Sequence, residues 1–229
     1  MSPTRPALLA MAAAYVDTCG FIGLFGLFTA HVTGNFVLIG AELVNRHVDI
    51  LTKSLALPVF ILSVVLANQA EAVMRRRGMA VTTWLLGVQS LLIALAAMAP
   101  GLAGLPQHPD DMPSVVIGFL LITAIGVQNA LMRTSLAGPV QTTVMTGNVT
   151  QLTIDLLAVV TGRADAGTLT RAAALWPVVM AFAAGSAMGA IGYAGLGFNC
   201  LWLACALVAG AALIAHRQEP KETSARSAI

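Results

Sequence analysis

Apolar runs of about membrane-spanning length recur along the chain, at residues 7–29, 55–74, 80–99, 115–132, 172–193 and 198–215. Each approaches the ~20 residues that carry an α-helix across a ~30 Å hydrocarbon core. None shows the polar face that a helix on a soluble core would need. The pattern predicts an all-α polytopic membrane protein with about six transmembrane helices. The N-terminal stretch, with Arg5 and small residues at Ala12, Ala13 and Ala14, shares features with a secretory signal. Apolar sequence continues past it through Phe28, so it reads as the first membrane helix.

Two polar interruptions of this pattern are alike. Thr29-Ala30-His31-Val32-Thr33-Gly34-Asn35 is echoed by Thr142-Thr143-Val144-Met145-Thr146-Gly147-Asn148, an offset of 113 residues (148 − 35) that also relates Glu42 to Asp155. A Thr-Gly-Asn break in lipid exposes backbone groups that protein or a water-filled cavity must satisfy. Two such breaks at corresponding places in two halves point to a transporter-type central site. Pro58 and Pro177, then Trp84 and Trp202, extend the repeat at offsets of 119 (177 − 58) and 118 (202 − 84), which implies a slightly longer loop in the second half.

Charge placement sets the expected topology. Only 10% of the 229 residues are charged, against about 25% in a soluble domain. Arg75-Arg76-Arg77 marks a cytoplasmic loop, whereas the connection 100–113 has no Lys or Arg and carries Asp110 and Asp111. If both Thr-Gly-Asn segments only dip into the membrane, ten of the twelve basic residues are cytoplasmic and only Arg46 and Lys53 are external. If both cross, the better orientation gives eight against four and puts the Arg triplet on the wrong face. Six spans fit better. From Asn35 to Asn45 the rise is ~15 Å, half a bilayer, while Asn148 to Thr161 rises ~20 Å and leaves a crossing helix open there.

Each half is then three spanning helices with one broken or re-entrant segment. Three is odd, so the halves, 1–106 and 107–217, form inverted repeats whose dipping segments enter from opposite faces and meet near the middle. Residues 218–229 read as a disordered cytoplasmic tail, with both termini cytoplasmic. Gly185 and Gly189 make a small-xxx-small pattern that suits either internal helix packing or a homo-oligomer.

The candidate substrate-binding residues follow from the breaks. Thr33, Gly34 and Asn35, with Thr146, Gly147 and Asn148, are candidate binding residues; Thr33 or Asn35, and Thr146 or Asn148, are also good N-caps for the short helices that follow. Two helix N-termini aimed at the membrane centre suit an anion or a polar neutral solute. Asp17, in the middle of the first span, is costly in lipid, by about 2.5–3.5 kcal/mol on the insertion scale. It is either a site residue or a structural partner of Gln128, Asn129 or Arg133; in the repeat alignment Gln128 and Asn129 correspond to Tyr15 and Val16. His31 could titrate and relay protons, or donate one hydrogen bond to a helix end. Glu42 and Asp155 either line a vestibule or sit at headgroup level.

Cys19, Cys200 and Cys205 lie in apolar sequence without metal-ligand spacing and read as packing residues with no disulfide framework. No catalytic grouping, cofactor motif, metal site or nucleic-acid patch is recognisable. The chain is therefore not expected to be an enzyme; one using Asp17 and His31 would lack a third group.

Tyr15-Val16-Asp17, Phe28 through Asn35, Gly126-Val127-Gln128-Asn129-Ala130 and Thr142 through Gly147 together resemble the YoaK-like family of bacterial inner-membrane proteins, defined by a domain of unknown function. The resemblance covers nearly the whole chain. Asn148 stands where the family often has threonine, and Thr18 where a small apolar residue is usual. The resemblance implies a bacterial plasma-membrane location and about six spans, and supplies no substrate. From the breaks themselves, the chain is expected to be a permease or channel for a small polar or anionic solute. The alternative is a non-transporting membrane protein that stabilises or regulates a partner complex.

Overall fold

The computed structural model describes residues 4–44, 50–138 and 140–226, with side chains to Gln218. Regular structure among the described residues is helical throughout: α1 (Thr4–Gly23), α2 (Gly34–Val44), α3 (Leu51–Arg76), α4 (Val81–Ala103), α5 (Met112–Arg133), α6 (Met145–Val160), α7 (Ala166–Leu196) and α8 (Leu201–Arg226). Five helical stretches are long and apolar enough to cross a membrane. The last of them, 166–218, is broken at Gly197, whose φ of +54° starts a 3-10 turn, Gly197–Cys200, between α7 and α8. This is a polytopic all-α membrane protein. The short helices α2 and α6, of 11 and 16 residues, rise only ~16 and ~24 Å, less than the hydrocarbon core.

The ends of the first span differ from the apolar run. α1 stops at Gly23 rather than continuing to Thr29. Phe25 and Gly26 take φ values of +54° and +83° and turn the chain back. The returning Thr29 lies so close to α1 that a Cβ on Gly20 would stand 2.8 Å from its Cγ2. All these residues except Thr29 are apolar or glycine, so hydropathy alone hides the reversal. The central connection is shorter than expected, because α4 continues past Pro100 to Ala103. At the other terminus α8 continues to Arg226. Arg46 and Asn45 lie outside the described residues.

Helix directions follow from contacts. α1 runs parallel to α7: Cβ atoms on Gly185 and Gly189 would meet the Met11 and Tyr15 carbonyl oxygens at 2.3 and 2.7 Å. The small-xxx-small pattern thus serves internal packing. α5 runs parallel to α3, with Gly118 beside Thr52, Gly126 beside Ser63, and Thr134 donating to Glu71. α1 and α5 are antiparallel, since Gln128 near the end of α5 donates to the Leu9 carbonyl near the start of α1. The first helix of each half packs on the last two helices of the other: α1 on α7 and α8, α5 on α3 and α4.

Charged groups separate by end. Arg5 reaches Gln218 at one end, where Glu71 also binds Arg75 and Ser135. At the other end Asp110 accepts from the Leu51 and Thr52 backbone N–H groups at 3.0 and 2.8 Å, and so caps α3 from the α4–α5 connection. Asp111 caps α5 itself through Ser114 N–H at 2.8 Å. Burial pushes the Asp111 carboxyl up, but the N–H groups of Gln107, Ser114 and His108 outweigh it and hold it down to about 2.

Candidate functional site

The two Thr-Gly-Asn segments are built on one plan. After α1 the chain folds back from Gly23 to the level of Asp17, about 9 Å along the helix. There the Asp17 carboxylate accepts from the Thr29 and Ala30 backbone N–H groups at 2.7 and 2.6 Å, and its second oxygen meets His31 Nδ1 at 2.6 Å. After α5 the chain folds back in the same way. Gln128 donates to the Thr142 hydroxyl at 2.8 Å, and the Thr143 hydroxyl donates to Asn129 Oδ1 at 2.7 Å. In each case polar side chains on the helix before it (α1 or α5) hold the returning segment. Because α1 and α5 are antiparallel, the two segments fold back from opposite ends of the bundle.

The asparagines do something other than cap. Asn35 Oδ1 accepts from Phe28 N–H at 2.9 Å while its Nδ2 donates to the Phe28 carbonyl at 2.9 Å. Asn148 Oδ1 accepts from Gln141 N–H at 3.4 Å, and its Nδ2 donates to the Gln141 carbonyl. Each carboxamide thus imitates a strand partner and clasps the backbone seven residues earlier. α6 begins at Met145, behind Val144, which makes no side-chain cap, so Thr146 and Asn148 lie within its first turn. The N-cap expectation for Asn148 is corrected accordingly. An amide can satisfy both groups of one backbone residue, whereas a cap oxygen serves only N–H groups.

Asp17 has no bond to Gln128, Asn129 or Arg133; Arg133 is exposed. Gln128 instead joins Gln89, the Leu9 carbonyl and Thr142 in one buried network. Leu9 and Asp17 are eight residues apart on α1, so the two polar clusters stand about 12 Å apart along its axis. They do not merge into one site in this arrangement. Asp17, Asn35, Gln128 and Asn148 are buried, whereas Thr33, Thr146 and Gly147 are exposed and the His31 side chain is 42% exposed. Gly34 packs against the Phe28 ring. The His31 imidazole stands edge-on to the Phe182 ring of α7 at 5.8 Å.

Each short helix is also pinned by an ion pair to the long helix that follows. Lys53 Nζ meets Glu42 at 2.8 Å, and Arg171 takes Asp155 in a two-pronged contact at 2.9 and 2.6 Å. Glu42 and Asp155 therefore act as anchors rather than as free headgroup-level acids. Sequence reasoning missed Lys53 and Arg171, although their separation of 118 (171 − 53) equals that of the two tryptophans. The 113-residue offset of the two motifs matches Phe28 with Gln141 (141 − 28). The outer faces of α2 and α6 remain apolar and exposed, with Phe36, Val37 and Val44 on one and Ile154, Leu157 and Val160 on the other. In a membrane such faces contact lipid.

The family model described as protein of unknown function DUF1275 matches residues 6–214. The chain is also similar to the UPF0700 transmembrane protein YoaK of Bacillus subtilis (strain 168), with 28% identity over 155 residues, 67% of this chain and 66% of that protein. The match thus spans slightly less than two thirds of that relative's length. No solved structure matches. The family match runs from the first turn of α1 into α8 and takes in both clasped segments, so this integral membrane protein belongs to the DUF1275 family.

Proposed function

We propose that this protein is a permease or channel for a small polar or anionic solute, built from two inverted three-helix repeats with both termini in the cytoplasm. One observation carries the reading: the asparagine clasp, the tether to the first helix and the acid–base anchor all recur, in the same order, on oppositely directed helices. Repeats of that kind support transport sites in which irregular backbone lines a cavity. The gathering of Arg5, Arg75 and Arg133 at one end, with Asp110 and Asp111 at the other, supports the orientation.

The buried asparagines, Asp17 and Gln128 are framework in this reading. The groups exposed enough to meet a solute are Thr33 and the part of the His31 ring that Asp17 does not hold, at the external segment, and Thr146 and Gly147 at the cytoplasmic one. A second reading has its own support. Apart from Gln89 Oε1, which has no partner among the described residues, the deep polar side chains are bonded within the protein, and α2 and α6 present apolar faces, which suits a non-transporting protein that stabilises a partner complex.

Cysteines at Thr33 and Thr146, probed with a membrane-impermeant maleimide, separate the two. The permease predicts labelling of Thr33→Cys from outside and of Thr146→Cys from the cytoplasmic side. It also predicts that His31→Ala abolishes flux in proteoliposomes tested with small anions and neutral polar metabolites. Protection of both cysteines in folded protein, with no flux of any solute by the wild type, would leave the partner-stabilising reading.

A further inference from the structure

Cys19 on α1 and Cys200 in the turn between α7 and α8 are 181 residues apart in sequence, yet their sulfurs stand 3.2 Å apart. Both are buried, and the Cys19 thiol is also 3.5 Å from the Gly189 carbonyl. We propose that these two thiols form a disulfide that fastens the end of α1 to the α7–α8 turn. The sulfurs need to close by roughly 1 Å to reach the bond length of about 2.05 Å. Cys205 takes no part: its sulfur contacts Ser90 Oγ at 3.1 Å.

The site is reachable. A cavity of about 380 Å³, bordered by Tyr15, Gly192, Asn199, Cys200 and Trp202, opens beside Cys200. A small disulfide reagent entering it meets Cys200 first. The Cys200 thiolate attacks one reagent sulfur, forming a mixed disulfide and releasing one thiolate. Cys19 then attacks the Cys200 sulfur and expels the second thiolate. Two S–H bonds are lost and one S–S bond is made; the protons pass to the two released thiolates, and the reagent disulfide is reduced to two thiols.

This end of the bundle is shared with Asp110 and Asp111. It is external in the orientation proposed above, where thiols meet oxidants; the bond itself does not depend on that orientation. The link would also brace the framework of the first clasped segment, because Asp17 lies two residues from Cys19 on α1.

The test uses the full-length protein in detergent, freed of reductant and treated with an aromatic disulfide, then unfolded in excess alkylating reagent and weighed intact. The number of alkylated cysteines should fall from three to one, with the remaining mass lower by two hydrogens and a Cys19–Cys200 peptide pair on mapping. Reductant should restore all three. Cys200→Ala should leave no internal link. A protein carrying Thr33→Cys controls for reagent action. Consumption of that exposed thiol while Cys19 and Cys200 both remain alkylatable, or a link that joins Cys205 instead, would overturn the proposal.

Discussion

Replacing Asn35 by aspartate separates a clasp from a cap, because the two roles need different chemistry. A helix cap requires only an acceptor, and aspartate serves there as well as asparagine. The clasp requires an acceptor for Phe28 N–H and a donor for the Phe28 carbonyl, each at 2.9 Å. Asn35→Ala strands both backbone groups. At about 1–3 kcal/mol for each buried group left unpaired, and with Phe28 only partly buried, the loss is about 2–4 kcal/mol. Asn35→Asp keeps one bond but sets a carboxylate oxygen against the Phe28 carbonyl, so it should be no better than alanine at neutral pH. For a chain of this length the midpoint in detergent should fall by roughly 5–15 °C. The same series at Asn148 should behave alike. The clusters are about 12 Å apart, so the two effects should add within about 0.5 kcal/mol. An Asn35→Asp protein within about 0.5 kcal/mol of wild type would refute the clasp and restore the cap.

Four further outcomes follow from the same geometry. Gly185→Ala drives a methyl into the Met11 carbonyl and should markedly lower the melting temperature, whereas Gly40→Ala meets nothing within 4 Å and should stabilise α2 by up to about 1 kcal/mol. Because the Asp111 carboxyl is held down to about 2, its contribution is complete above the ordinary carboxylate value and disappears as pH falls through the folded one; melting followed from pH 5 to about 2 should show that loss, and Asp111→Ala should show a smaller one, because Asp110 and Asp165 are also held low. Arg171→Gln leaves the buried Asp155 carboxylate without its cation and should lower the melting temperature more than Arg163→Gln does. A reporter inserted at His108 should behave as external and one fused after Arg217 as cytoplasmic; cytoplasmic activity at His108 would reverse the proposed orientation.

The long helices were legible because a membrane helix announces itself by length and apolarity alone. The clasped segments were legible because the same seven-residue pattern occurs twice. What hid was anything decided by chain reversal. Nothing in Phe25, Leu27 or Phe28 marks the end of α1, so the contact between Asp17 and His31, 14 residues apart, read as remote. The asparagines were found and their role misjudged, since Asn at a helix start is ordinarily a cap and only the returning backbone shows what else it can bind. The anchoring bases were missed for another reason. Lys53 and Arg171 lie beyond the loops whose lengths differ between the halves, so they fall out of the 113-residue alignment that matches Glu42 with Asp155.

The exchange of first helices between halves bears on how the chain is made. α1 ends at Gly23, but its parallel neighbour α7 begins only at Ala166. At about 5–20 residues per second, a nascent α1 therefore waits roughly 7–30 s for that surface to be synthesised. During the wait its one carboxylate would be the hardest group to leave in lipid. Asp17 takes its partners from Thr29, Ala30 and His31, which leave the ribosome within seconds of it. Synthesis order thus lets the polar group close on itself first, while the apolar faces, which lipid tolerates, wait for the second half. A gene split between the halves would produce two pieces that insert but cannot complete their packing until they meet.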